Sequence, residues 1–147
     1  MRKLVLAVSM LAFAGSAAFA DPVLERQGLM KERGKIVGGL SKVVKGEQPF
    51  EAAAVLTALQ ALEVNAEKLD QNLEALFPAG SDVGDTTASP KIWEDMAGFK
   101  AAEGKYLADV KAAAAAAPSD VDGLKAQIGT LGSDCGTCHK AYRIKKG

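Results

Sequence analysis

Leu124-Lys125-Ala126-Gln127-Ile128-Gly129-Thr130-Leu131-Gly132-Ser133-Asp134-Cys135-Gly136-Thr137-Cys138-His139-Lys140-Ala141-Tyr142, near the end of a 147-residue chain, decides the fold. Leu124, Ile128, Leu131, Cys135, Cys138 and Tyr142 recur at alternating steps of four and three, the rhythm of one buried face of an α-helix. Both cysteines therefore belong on the inward face of a final helix. His139 lies four residues after Cys135, so sulfur and imidazole project from neighbouring positions. Pro118 ends whatever precedes this helix, and Ser119-Asp120-Val121-Asp122 offers a capping box with Ser119 as the cap.

The same rhythm recurs upstream. Ile92, Met96, Phe99, Glu103, Tyr106 and Val110 mark a third helix, broadened by Trp93 and Leu107, with Glu103 as one polar interruption. Ser89-Pro90 resembles its cap and first helical position, and Ala112 to Ala117 extends it by intrinsic preference. Leu59, Leu62, Ala66, Leu69, Leu73 and Leu76 give a second helix, stopped by Phe77-Pro78-Ala79-Gly80 and followed by a polar connection from Ser81 to Ser89. The first helix is expected over about 23 to 45, with Asp21 as cap and Pro22 where no amide donor is needed. Its pattern is weak, because Gly28, Gly34, Gly38 and Gly39 lower the helical preference. Four helices joined by short breaks predict an all-α, antiparallel four-helix bundle, an architecture that holds cofactors between its helices.

Arg2 and Lys3, an apolar run from Leu4 to Phe13 and the small-x-small Ala18-Phe19-Ala20 read as a signal peptide over residues 1–20, leaving a mature domain over 21–147. The remaining 127 residues suffice for one domain, and no membrane span is expected after processing. Without Arg2 and Lys3, 16 basic side chains face 18 acidic ones, a formal charge of −2 that gives no reason to expect a nucleic-acid partner.

Two cysteines separated by two residues act locally, since they cannot staple distant parts of the chain. A thioredoxin-like dithiol belongs among alternating strands and helices, and structural zinc needs about four donors, more than this chain's cysteines and single histidine supply. Cys135-Gly136-Thr137-Cys138-His139 fits a third use, attachment of one haem c through two thioethers with His139 as the iron ligand. Only eight residues follow His139 and none is methionine, so a second protein ligand must come from upstream, where the mature chain has Met30 and Met96.

From Glu25-Arg26-Gln27-Gly28-Leu29-Met30 through Ile92-Trp93 and Phe99 to Cys135-Gly136-Thr137-Cys138-His139-Lys140-Ala141-Tyr142-Arg143, the chain resembles cytochrome c-prime. The resemblance implies a periplasmic haem protein for electron transfer and for binding nitric oxide or carbon monoxide at a five-coordinate iron. It further implies that Arg26 and Gln27 lie near the haem, that Met30 closes the face opposite His139, and that Arg143 approaches a propionate. By the same resemblance, Thr87 falls in the region where family members touch haem from the third-helix side, and Lys91 stands where relatives often carry an acidic residue. The alternative is a low-spin electron carrier with Met30 as sixth ligand, as in related four-helix cytochromes. No enzyme is expected, because the only histidine is assigned to iron and no distal acid–base pair is recognisable. The resemblance implies redox protein partners and a homodimer through the first two helices, where Gly34, Gly38 and Gly39 permit close approach.

Overall fold

A computed structural model describes residues 21–145. The expected leader, residues 1–20, lies outside the described residues, as do Lys146 and Gly147. Among the described residues six helices follow in order: α1 (Pro22–Val44), α2 (Ala52–Gln71), α3 (Leu73–Leu76), α4 (Lys91–Glu94), α5 (Met96–Ala116) and α6 (Val121–Tyr142). The long helices α1, α2, α5 and α6 each pack on the next, and α6 closes on α1. Cross-contacts run in opposite chain directions. Lys68 pairs with Glu25 and Lys111 with Glu67, while Lys105 reaches Asp134 and Tyr142 reaches Asp95, so every neighbouring pair is antiparallel. Among the described residues no helix is long and apolar enough to cross a membrane.

The α1 terminus forms as its sequence dictates, with Asp21 Oδ1 accepting from the amides of Val23 and Leu24 at 2.9 and 3.2 Å. Three other ends differ from expectation. The cap of α6 is Asp120, not Ser119, because its carboxylate accepts from the Gly123 amide at 2.8 Å, a charge-assisted bond stronger than a hydroxyl offers. The expected second helix breaks at Asn72, whose side-chain amide turns back to the Lys68 carbonyl. The third breaks at Asp95, whose Oδ1 caps the Gly98 amide at 3.1 Å while Oδ2 accepts from the Tyr142 hydroxyl at 3.0 Å. Short polar side chains that bond nearby backbone compete with the helical ladder in this way. Helix α5 stops at Ala116, and Ala117 takes a left-handed φ of 42° just before Pro118.

Apolar faces meet in three layers along the bundle. Leu40, Val43, Val55, Leu59 and Leu124 fill one end, and Leu62, Ala66, Val110 and Leu131 fill the middle. Leu29, Leu69, Leu76, Phe77, Ile92 and Phe99 fill the other end. Leu59, Leu62, Leu69 and Leu76 are fully buried, each contributing about 1.5–3 kcal/mol of transfer free energy. Cys135 packs against the middle layer and Cys138 against the end layer, so the expected inward face of α6 is the observed one.

Candidate functional site

A small cavity opens between α1, α5 and α6, with Met30 and Arg33 on one wall, Glu103 and Tyr106 on another, and Cys135, Cys138 and His139 on the third. The two thiols are free and half-buried. Burial pushes both upward, Cys138 to about 11, where the charge of Glu103 adds to the effect. An exchange-active pair has the opposite property, a thiol pKa depressed at a helix N-terminus, whereas these cysteines lie late in a 22-residue helix. His139 is exposed at the cavity rim. Partial burial, followed by the charges of Arg143 and Arg33, holds its pKa below the ordinary histidine value, which favours the neutral imidazole that a metal requires. Two unpaired thiols and a neutral imidazole on one helical face are the donor set that haem c needs.

Behind this face lies a buried polar layer. Arg33 donates from Nη2 to Glu103 Oε1 at 2.7 Å and from Nη1 to Glu103 Oε2 at 3.1 Å. A guanidinium only donates, so both oxygens accept and Glu103 is a carboxylate. Burial raises the Glu103 pKa, and the hydrogen bonds and charge of Arg33 pull against that rise. Burial likewise works against the charge on Arg33, but Glu103 outweighs it and the pKa ends above the ordinary value. Asn65 Oδ1 accepts from Arg33 Nε at 3.1 Å, and the guanidinium lies 4.2 Å from the centre of the Tyr106 ring. The buried Tyr106 hydroxyl and Asp134 Oδ2 have no hydrogen-bond partner among the described residues.

Of the residues singled out from the sequence, Met30, Cys135, Cys138 and His139 meet at the cavity. Arg26 and Gln27 do not line it. Arg26 is buried and donates to the Leu76 carbonyl, to both oxygens of Ser81 and to Thr86 Oγ1 at 2.5–3.0 Å, with Phe77 stacked at 4.7 Å. Gln27 donates to the Asp85 carbonyl at 2.5 Å. Together they tie the 81–89 connection to α1. Thr87 and Arg143 lie on adjoining strands of chain: Ala88 and Arg143 form an antiparallel bridge, and the Ile144 amide donates to the Thr87 carbonyl at 2.9 Å. Lys91 is exposed and pairs with Glu94 at 3.6 Å. Arg33 was not anticipated, although the polar interruption at Glu103 was the signal that a buried partner had to exist.

A C-terminal helix that sets two half-buried thiols and an adjoining imidazole at a cavity of a four-helix bundle defines a bundle protein with a c-type haem attachment motif. Residues 21–143 match the family described as Cytochrome C'. The chain is 42% identical over 133 residues to a cytochrome c-556 of Agrobacterium fabrum, covering 90% of this chain and 88% of that one. It resembles the structure of cytochrome c' from Rhodopseudomonas palustris with a TM-score of 0.79 and 37% identity, covering 88% of this chain and 100% of that chain. It also resembles a nitric oxide complex of a cytochrome c prime variant from Alcaligenes xylosoxidans, with a TM-score of 0.73, 34% identity and coverage of 86% and 99%. The chain belongs to the cytochrome c-prime family, whose members carry electrons and bind small gases and are not enzymes.

Proposed function

We propose that this chain is an exported, periplasmic haem protein that transfers single electrons and binds nitric oxide or carbon monoxide at a five-coordinate iron. The observation that carries the reading is the meeting of Cys135, Cys138 and His139 on one side of a cavity whose other side is Met30. Cys135 and Cys138 would hold the haem through thioethers, and His139 would supply a nitrogen ligand to its iron. The haem, when bound, would supply one-electron chemistry and a binding position for a diatomic ligand. Met30, a flexible thioether lining the same cavity, would shield that position and give way to the ligand. Residues 1–20 act as the export signal, and the family match beginning at residue 21 supports that boundary. Gas binding draws support from the nitric oxide complex of the Alcaligenes relative.

A second reading is favoured by the same Met30 thioether, which also ligates iron when held close, and would make the protein a low-spin electron carrier. Absorption and resonance Raman spectra of both redox states, with carbon monoxide titration, separate the two. The five-coordinate reading expects high-spin spectra in the native protein and in Met30→Leu, with gas affinity changed by altered packing. A six-coordinate, methionine-ligated spectrum lost in Met30→Leu would replace it with the low-spin carrier.

The protein pairs as a homodimer through α1 and α2. Between them runs a groove of about 680 Å³ whose apolar floor includes Ile36, Leu40, Val43, Val55 and Ala58. Among the described residues nothing lies within 4 Å of a Cβ built on Gly34, Gly38 or Gly39, which leaves these positions open to a second copy. Sedimentation as a monomer across micromolar concentrations would refute the dimer.

A further inference from the structure

A buried ion pair is not needed to stabilise a helical bundle, because well-packed apolar residues in its place are often as good or better. The Arg33–Glu103 pair nevertheless sits in the wall of the Cys135–His139 cavity, with side-chain exposures of only 7% and 5%. Its geometry is fully specified. Glu103 grips the guanidinium with both oxygens, Asn65 holds Nε, and Asn65 is in turn fixed by the Leu29 carbonyl at 3.1 Å and Glu32 Oε2 at 2.8 Å. Tyr106 covers one face of the guanidinium. Asp134, the other carboxylate at the cavity, accepts through Oδ1 from Lys105, which Asp109 shares.

We infer that the Arg33–Glu103 ion pair, locked by Asn65 in the wall of this cavity, keeps the site free of net buried charge, so that removing either partner alone shifts its redox poise. The inference rests on the haem reading above. Reduction adds one electron to the iron, so any net charge buried beside it shifts the balance between the two redox states, and low exposure prevents salt from screening that charge. As a closed pair the two side chains nearly cancel. Either one alone would leave a full charge in the wall, facing the cavity that Cys138 and His139 also line. Arg33 and Glu103 are thus positioning residues for the potential. They touch neither thiol nor imidazole by hydrogen bond.

The test is spectroelectrochemical titration of the haem-loaded protein, with the electron supplied by an electrode through mediators. Glu103→Gln keeps the shape of the side chain but leaves the Arg33 cation unpaired, which favours the reduced form. We expect the reduction equilibrium constant to rise roughly tenfold, about 59 mV for one electron, with both redox spectra unchanged. Arg33→Met should move it the other way by a smaller factor, because an unpaired buried carboxylate recovers part of its cost by taking a proton. The double variant Arg33→Met, Glu103→Gln should return to within threefold of the wild type. Glu67→Gln, which breaks the exposed Lys111–Glu67 pair, should change nothing. If Glu103→Gln does not accumulate, Arg33→Met and the double variant carry the same comparison. A shift below threefold in Glu103→Gln, shifts of one sign in both single variants, or a double variant further displaced than the singles would overturn the inference. A wild-type chain that carries no haem would instead remove the functional reading itself.

Discussion

Gly98 and Gly104 lie on the same helix, α5, and replacing each by alanine should change stability in opposite directions. In an unobstructed helix interior the exchange stabilises by roughly 1 kcal/mol, because alanine loses less backbone freedom on folding. Gly104 meets this condition, since a Cβ built there finds nothing within 4 Å. At Gly98 the same atom would lie 2.4 Å from Asp95 Oδ2 and 2.5 Å from the Tyr142 hydroxyl, distances no real Cβ tolerates. Asp95 is a short side chain already committed to capping the Gly98 amide, so it cannot swing aside without releasing the cap. Overpacking of this kind costs about 1–3 kcal/mol. Urea unfolding of the haem-loaded proteins should therefore place Gly104→Ala above the wild type and Gly98→Ala below it, with equal m-values, separated by roughly 2–4 kcal/mol. Two variants that shift the midpoint in the same direction would refute the proposed close approach of α6 to the start of α5.

Tyr142→Phe should lower the melting temperature because it removes the hydroxyl that binds Asp95, whereas Tyr106→Phe removes a buried hydroxyl without a partner and should stay within about 0.5 kcal/mol of the wild type; thermal melts of both variants check the contrast. The Gly98 amide, then the Tyr142 hydroxyl, hold the Asp95 pKa below its ordinary value. Its contribution is therefore complete above about pH 4 and is lost as pH falls through the depressed folded value. The stability gap between wild type and Asp95→Asn should shrink on acidification, and a gap constant from pH 6 down to acid would contradict the assignment. Ala117→Gly should raise stability by roughly 1 kcal/mol in denaturant titration, because φ of 42° suits glycine and strains alanine.

The sequence made the final helix legible because its apolar positions and cysteines follow one unbroken rhythm, and a buried helical face has few other sources of such order. The glycine-rich first helix was weaker, yet Asp21 and Pro22 marked its start, and it forms because α2 and α6 cover Leu29, Leu40 and Val43. The breaks at Asn72 and Asp95 were missed because each depends on where one polar side chain turns, and for Asp95 on a partner 47 residues away. At the site, spacing alone brought Cys135, Cys138 and His139 together. Arg33 and Glu103 are 70 residues apart and pair only once the helices are packed. Glu103 interrupting an apolar face was the visible half of that pair. Arg26 was expected at the haem by resemblance, and its four bonds to the 76–86 segment belong to long-range packing that one sequence does not encode locally.

The haem function of this protein turns on covalent attachment through Cys135 and Cys138. The direct measurement is the intact mass of the full-length gene product made in a host competent for haem maturation, taken after complete denaturation, beside the Cys135→Ser, Cys138→Ser double variant. Unfolding breaks packing but not thioethers. The expected product is a chain beginning at Asp21 and heavier by one haem, with the added mass absent from the double variant. A denatured wild-type chain with no haem adduct, from a host that loads other c-type cytochromes, would contradict it.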